Sequence, residues 1–220
     1  MLRFLLCALL LGLPLAAGSL RGAVRVLDRD GRARAGLEDV VAILEAVPRE
    51  PAPGPGETLV IRTVGKRFVP RVAVATPGTE VAFPNLDPIL HNVFSVSPGN
   101  RFDTGNYRPG DSPRVKLANP GLVKVYCNVH HQMNAFVWVV TTPFAQVLAG
   151  RPGLAFEDVP PGSYRLRLWH PEAGEQDWPV RIGAGATTGA WSLRLTLPPV
   201  EPHPDKFGHD YPPPADERDY

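Results

Sequence analysis

Apolar residues recur at every second position of this chain, in short runs broken by turn residues about every ten positions. In YRLRLW, residues 164–169, Tyr164, Leu166 and Leu168 fall on one side of an extended backbone, with Arg165 and Arg167 on the other. That period of two belongs to a strand with one buried face, not to a helix. The same texture returns in AVRVL at 23–27, ETLVIR at 57–62, RVAVA at 71–75 and EVAF at 80–83. It continues in HNVFSV at 91–96, LVKVYC at 122–127, AFVWVV at 135–140 and WSLRLTL at 191–197. The chain carries 26 prolines and 21 glycines, which supply the turns between runs. The pattern predicts an all-β fold built as a sandwich or barrel. One stretch, VVAILEAV at 40–47, fits a short helix and a buried strand equally well.

Two breaks divide the chain. PREPAPGPGE at 48–57 is a proline-glycine connector with nothing to build a core from, and the linker is set at 48–56. Proline and charge dominate from Pro198 onward, so a disordered tail is expected over 199–220. Between the breaks lie a segment at 57–142 and a smaller one at 144–198. The smaller segment is short for an independent core, and the strands at 19–47 have no partner of their own. The two are expected to pack together as one sandwich, with residues 57–142 inserted between them.

The first residues, MLRFLLCALLLGLPLAAGS, place Arg3 before an apolar run and small residues after it. This is the pattern of a secretory signal, assigned to residues 1–18, and its apolar run is too short to span a bilayer. The expectation is a periplasmic or secreted protein with no membrane insertion. Cys7 leaves with the signal, so Cys127 is the single cysteine of the mature chain. Exported proteins normally pair their thiols, and an unpaired one needs a reason. Without Arg3 the 23 basic residues become 22, equal to the 22 acidic ones. A neutral balance gives no footprint for nucleic acid.

The reason for Cys127 lies in its neighbours. VYCNVHHQMNAFVWV at 125–139 sets Cys127, His130, His131 and Met133 in a turn between two strand-like runs. None of the four has turn chemistry, but thiolate, imidazole and thioether are ligands that copper prefers. A loop alone cannot close a shell around a metal. His91, where the loop in FPNLDPILHNVFSV enters a strand, can be brought against Cys127 and His130 by strand pairing. Two imidazoles and a thiolate with a weak thioether, here His91, Cys127, His130 and Met133, make a blue-copper donor set. Zinc is the rival; it prefers four strong ligands, and His131 is the fourth only if the loop turns differently. Among the remaining histidines, His203 and His209 read as solvated tail and His170 as a turn residue.

GTEVAFPNLDPILHNVFSV followed by KVYCNVHHQMNAFVWVV resembles the cupredoxin family, most closely its amicyanin and plastocyanin branch. The Cys-x-x-His-x-x-Met spacing and the pair His91–Asn92 carry the resemblance, which covers about residues 68–142. The wider pattern, on to VPPGSYRLRLWHP, is similar to exported cupredoxin-like proteins labelled methylamine utilisation proteins. VPPGSYRLRLWHP itself resembles the carboxypeptidase regulatory-like β-sandwich, a fold related to carbohydrate-binding modules. The resemblance implies a Greek-key β-sandwich binding one copper, Cu(I) or Cu(II), per chain through His91, Cys127 and His130 with Met133 axial. It implies that Asn92 ties the two ligand loops together by hydrogen bonds. His131 stands where these relatives usually carry proline, beside the metal edge.

A filled coordination shell lacks the open position a catalytic metal keeps, so an enzyme is not expected. The function expected is one-electron transfer, with His130 as the port and a transient protein partner such as a c-type cytochrome or a dehydrogenase. The alternative is a copper carrier or sensor in extracytoplasmic copper homeostasis. Only Met133 remains in the mature chain after Met1 is lost, which gives no methionine-rich carrier surface. Phe94, Phe136, Trp138 and the Tyr164–Trp169 strip read as core. An exposed aromatic strip at 164–169 would favour a ligand-binding module there.

Overall fold

A computed structural model describes residues 16–48, 53–151, 153–197 and 203–211. Among these residues every regular element is a strand. The strands form four stacked layers, and the order of the layers explains which residues are apolar.

The first layer sets β1 (Gly18–Leu27) between β14 (Gly153–Val159) and β17 (Ala186–Arg194). The second runs β13 (Ala145–Val147), β2 (Val41–Ala46), β15 (Gly162–His170), β16 (Gly174–Ile182). Leu20, Val24 and Phe156 of the first layer meet Ala42, Leu44, Leu166 and Leu168 of the second in one core. Strands from both ends of the chain thus complete one sandwich, with β1 parallel to β17 along nine residue pairs. Of the expected signal, residues 1–15 lie outside the described residues, and Gly18 already pairs with Val159.

The third layer runs β6 (Val72–Ala75), β12 (Asn134–Val139), β11 (Gly121–Cys127), β8 (His91–Ser95), β9 (Phe102–Tyr107). The fourth sets β7 (Thr79–Ala82) between β10 (Arg114–Leu117) and β3 (Leu59–Val60). Val81, Phe83 and Leu117 pack against Val93, Val123, Val125, Ala135 and Val137 across these layers. The chain crosses between the two sheets after β6, β7, β9 and β10, a Greek-key β-sandwich. A small hairpin, β4 (Arg62–Thr63) with β5 (Phe68–Val69), closes one end.

The second and third layers also face each other. Val41, Ile43 and Trp169 meet Val72, Phe136, Trp138 and Val140 in a third core. The Trp169 ring lies 5.3 Å from Phe136 and 6.0 Å from Trp138, within the range of aromatic contact. Arg167 sets its guanidinium 5.7 Å over Trp138, and Arg71 binds Asp39 at 2.6 Å across the junction. β2 is therefore buried on both faces, and VVAILEAV resolves as a strand. Tyr164 and Trp169 are 6% and 4% exposed, so both aromatic rings of the 164–169 strip are buried and offer no aromatic platform. Residues 49–52 of the linker fall outside the described residues, and the Gly56 N–H donates to the Thr76 hydroxyl at 2.7 Å.

Candidate metal centre

Strand register assembles the centre. In the antiparallel pair of β8 and β11, Cys127 stands opposite Val93. His91 is two residues before Val93 and shares its face, so it lies diagonally from Cys127, within reach of a long side chain. His130 comes from the loop that follows β11. That loop is closed by two backbone bonds, Met133 N–H to the His130 carbonyl at 3.0 Å and Cys127 N–H to the Met133 carbonyl at 3.3 Å.

The donor atoms of His91, Cys127 and His130 lie within 4.8 Å of one another. Cys127 Sγ is 3.6 Å from His91 Nδ1 and 3.7 Å from His130 Nδ1. One thiol proton can serve only one of these nitrogens. A metal bonded to nitrogen at about 2.0 Å and sulfur at about 2.3 Å would hold them about 3.5–3.7 Å apart. The spacing and the donor types fit a bound transition metal. His91 and Cys127 are fully buried and His130 is half-buried. Burial, with His91 and Lys66 nearby, holds the His130 imidazole below its ordinary value, leaving it neutral and able to donate a lone pair.

Asp87, which the sequence did not single out, completes the surroundings of His91. Its Oδ2 lies 2.9 Å from His91 Nε2, on the ring edge away from Cys127. Burial raises the Asp87 carboxyl, but the Lys66 and Gly65 amides and His91 together hold it below the usual carboxylate range. An ionised Asp87 keeps the proton on Nε2 and turns the Nδ1 lone pair toward Cys127. The available signal is position: Asp87 precedes a proline and sits four residues before His91.

Asn92 joins the two ligand segments through its backbone, whose carbonyl accepts the Asn128 N–H at 2.9 Å. Its side chain instead donates to Asp103 at 2.7 Å, so the tie expected of the residue is made by the main chain. Met133 is 2% exposed and packs in the same core as Cys127. Phe136 and Trp138 line the junction between the sandwiches, not the metal centre, whereas Phe94 packs on Tyr126 at 5.9 Å.

Of the expected tail, residues 199–202 and 212–220 lie outside the described residues, while 203–211 depart from the expected disorder. Residues 203–211 lie on the ligand loop. The His203 ring stacks on Tyr126 at 3.7 Å, and the Tyr211 ring on His131 at 3.5 Å. Aromatic stacking against a folded surface overcomes what composition alone implies. Burial pushes the Tyr211 phenol up to about 12 and, with His203 beside it, the His131 imidazole down. His131 is thus covered by the tail and is no part of the donor cluster. His170 ends β15, is buried, and accepts the Glu172 N–H on Nδ1 at 3.0 Å.

No protein-family model matches the chain, and no curated protein sequence matches it. Among solved structures it is similar to the copper-containing nitrite reductase of Thermus scotoductus, at 23% identity over 43% of this chain and TM-score 0.37. That match spans 24% of the nitrite reductase chain. It is similar to a purple cupredoxin from Nitrosopumilus maritimus, at 22% identity over 39% of this chain and all of that one, TM-score 0.33. A methionine-to-glutamine variant of amicyanin with Cu(I) matches at 16% identity over 38% of this chain and 82% of its own, TM-score 0.35.

Proposed function

We propose that this chain is an exported mononuclear copper protein that carries single electrons between proteins and is not itself an enzyme. One observation carries the reading: a buried cysteine sulfur with an imidazole nitrogen on each side, at 3.6 and 3.7 Å. His91, Cys127 and His130 are the strong ligands in this reading, and Met133 the weak one. Bound copper would supply a one-electron couple at this position, tuned by the thioether and by the hydrogen bonds around the sulfur.

The chain's own residues support that use. Asp87 orients His91, and the closed loop from Cys127 to Met133 fixes the remaining donors. Packing of Cys127 among Val93, Val125 and Ala135 keeps water from the sulfur. Donors held by strands and short loops move little between oxidation states, which favours rapid transfer.

Half-buried His130 is the port. Exposed apolar side chains come from the three segments around it: Val64 at 42%, Leu86 at 58%, Leu90 at 47% and Val129 at 45%. A small apolar patch of this kind, with Lys66 at its edge, suits a weak, transient protein contact. The signal-like residues 1–18 support export.

Reductive titration of the Cu(II)-loaded protein tests the reading. Uptake of one electron per chain, fully reversed by oxidant, is expected. Irreversible loss of copper on reduction would replace it with copper carriage.

A further inference from the structure

We propose that residues 203–211 form a clasp that positions the ligand loop, with His203, Lys206 and Tyr211 as positioning residues for the metal. The proposal rests on the copper reading for its effect on metal, but the clasp can be tested without metal.

The clasp is a compact turn in its own right. Asp205 Oδ1 accepts the amides of Phe207 and His209 at 2.8 and 2.9 Å, and the Asp205 amide donates to the His209 carbonyl at 2.8 Å. Gly208 takes φ +89°, a conformation that glycine adopts without strain. The segment therefore arrives as a preformed piece rather than as a loose strand of tail.

Its contacts reach both ligand-bearing segments. Toward the loop after β11, His203 Nε2 lies 3.1 Å from the His131 carbonyl, and Lys206 N–H donates to Asn128 Oδ1 at 3.3 Å. Toward the strand of His91, Lys206 Nζ binds Asp103 Oδ2 at 2.8 Å, and Asp103 Oδ1 holds the Asn92 side chain. Asn128 and Asn92 are themselves joined by a backbone bond. Lys206 thus closes a ring of hydrogen bonds linking the neighbours of His91 and Cys127.

The rings add a second grip. His203 covers Tyr126, the residue before Cys127, at an interplanar angle of 18°. Tyr211 covers His131, the residue after His130, at 26°. His203 and Tyr211 meet edge to face at 5.4 Å, so the two grips brace each other. A histidine in the loop gives the backbone at position 131 more freedom than a proline would. The stacked Tyr211 and the bond to the His131 carbonyl remove that freedom from outside the loop.

The test compares the full chain with a His203→Ala, Tyr211→Ala double variant, and with Phe207→Ala as control. Phe207 is 71% exposed, and its ring lies against its clasp neighbours Lys206 and His209. Two readouts are taken: hydrogen exchange of the Asn128 and Met133 amides in metal-free protein, and the rate at which Cu(II) passes to a chelator. The double variant is expected to exchange these amides and to lose copper at least about tenfold faster, the scale seen when groups behind metal ligands are removed. The control is expected to match the parent. Unchanged amide exchange and unchanged copper loss would overturn the clasp. If the parent binds no Cu(II), the copper reading fails while amide exchange still decides the clasp. Should the double variant not fold, Lys206→Ala, which breaks the bond to Asp103, is read in the same way.

Discussion

His91 and Asp87 form a buried pair in which Nε2 and Oδ2 stand 2.9 Å apart, on the opposite ring edge from the Cys127 sulfur. The pair decides which nitrogen of His91 is free, and so which way the chain can offer it to a metal. Replacing Asp87 by Asn keeps the shape but withdraws the charge that holds the Nε2 proton. Metal affinity of Asp87→Asn is expected to fall about 10- to 100-fold. Competition against a chelator of known affinity measures it; equal affinity would remove Asp87 from the site.

Trp169 joins the two sandwiches by filling the core between β15 and β12. Truncation of such a buried ring costs about 3–5 kcal/mol. Trp169→Ala is expected to lower unfolding stability by that order. It should also separate one thermal transition into two, since the layers would lose their shared core. A single transition at the parent's Tm would show that the junction contributes little.

His170 gives a pH dependence away from the metal. Burial pushes its imidazole below the ordinary value; Glu172 and Asp39 raise it, while Arg71 and Arg34 lower it further. As pH falls through about 6.5, the unfolded chain takes up a proton that the folded chain resists. Stability is therefore present above that pH and declines as the pH drops toward the folded value. His170→Asn keeps an acceptor near the Glu172 amide and cannot titrate. Its Tm should fall less than the parent's between about pH 7.5 and pH 5.5. An equal fall in both proteins would contradict the assignment.

The apolar surface around His130 is expected to set electron exchange without setting the metal site. Leu86→Lys places a cation on the patch, where docking of two copies brings like charges together. Self-exchange is expected to slow roughly tenfold, with the absorption spectrum unchanged. An unchanged rate would move the port elsewhere.

How much of this was legible depends on what each residue faces. YRLRLW could be read as a strand because Leu166 and Leu168 face a core while Arg165 and Arg167 pair with Glu45 and Asp177. VVAILEAV could not be separated from a helix, because β2 is buried on both faces and shows no alternation. The cluster of His91, Cys127 and His130 was readable because a thiol and an imidazole have no turn chemistry of their own there. Asp87 was not, since an aspartate before a proline already has a sufficient role in starting one. Residues 203–211 differ from what composition implies: their order comes from rings at His203 and Tyr211 that meet partners more than seventy positions away, as the His203–His131 bond shows. Contacts of that span leave no mark on local sequence.

The central claim is that Cys127 sulfur and two imidazoles hold copper in one trigonal site. The most direct measurement is the visible absorption of the protein after addition of Cu(II), repeated on Cys127→Ala. An intense thiolate-to-copper band in the parent, bleached reversibly by reductant and absent from the variant, is the predicted result. A parent that shows no such band, or that takes up zinc and Cu(I) alone, would contradict it.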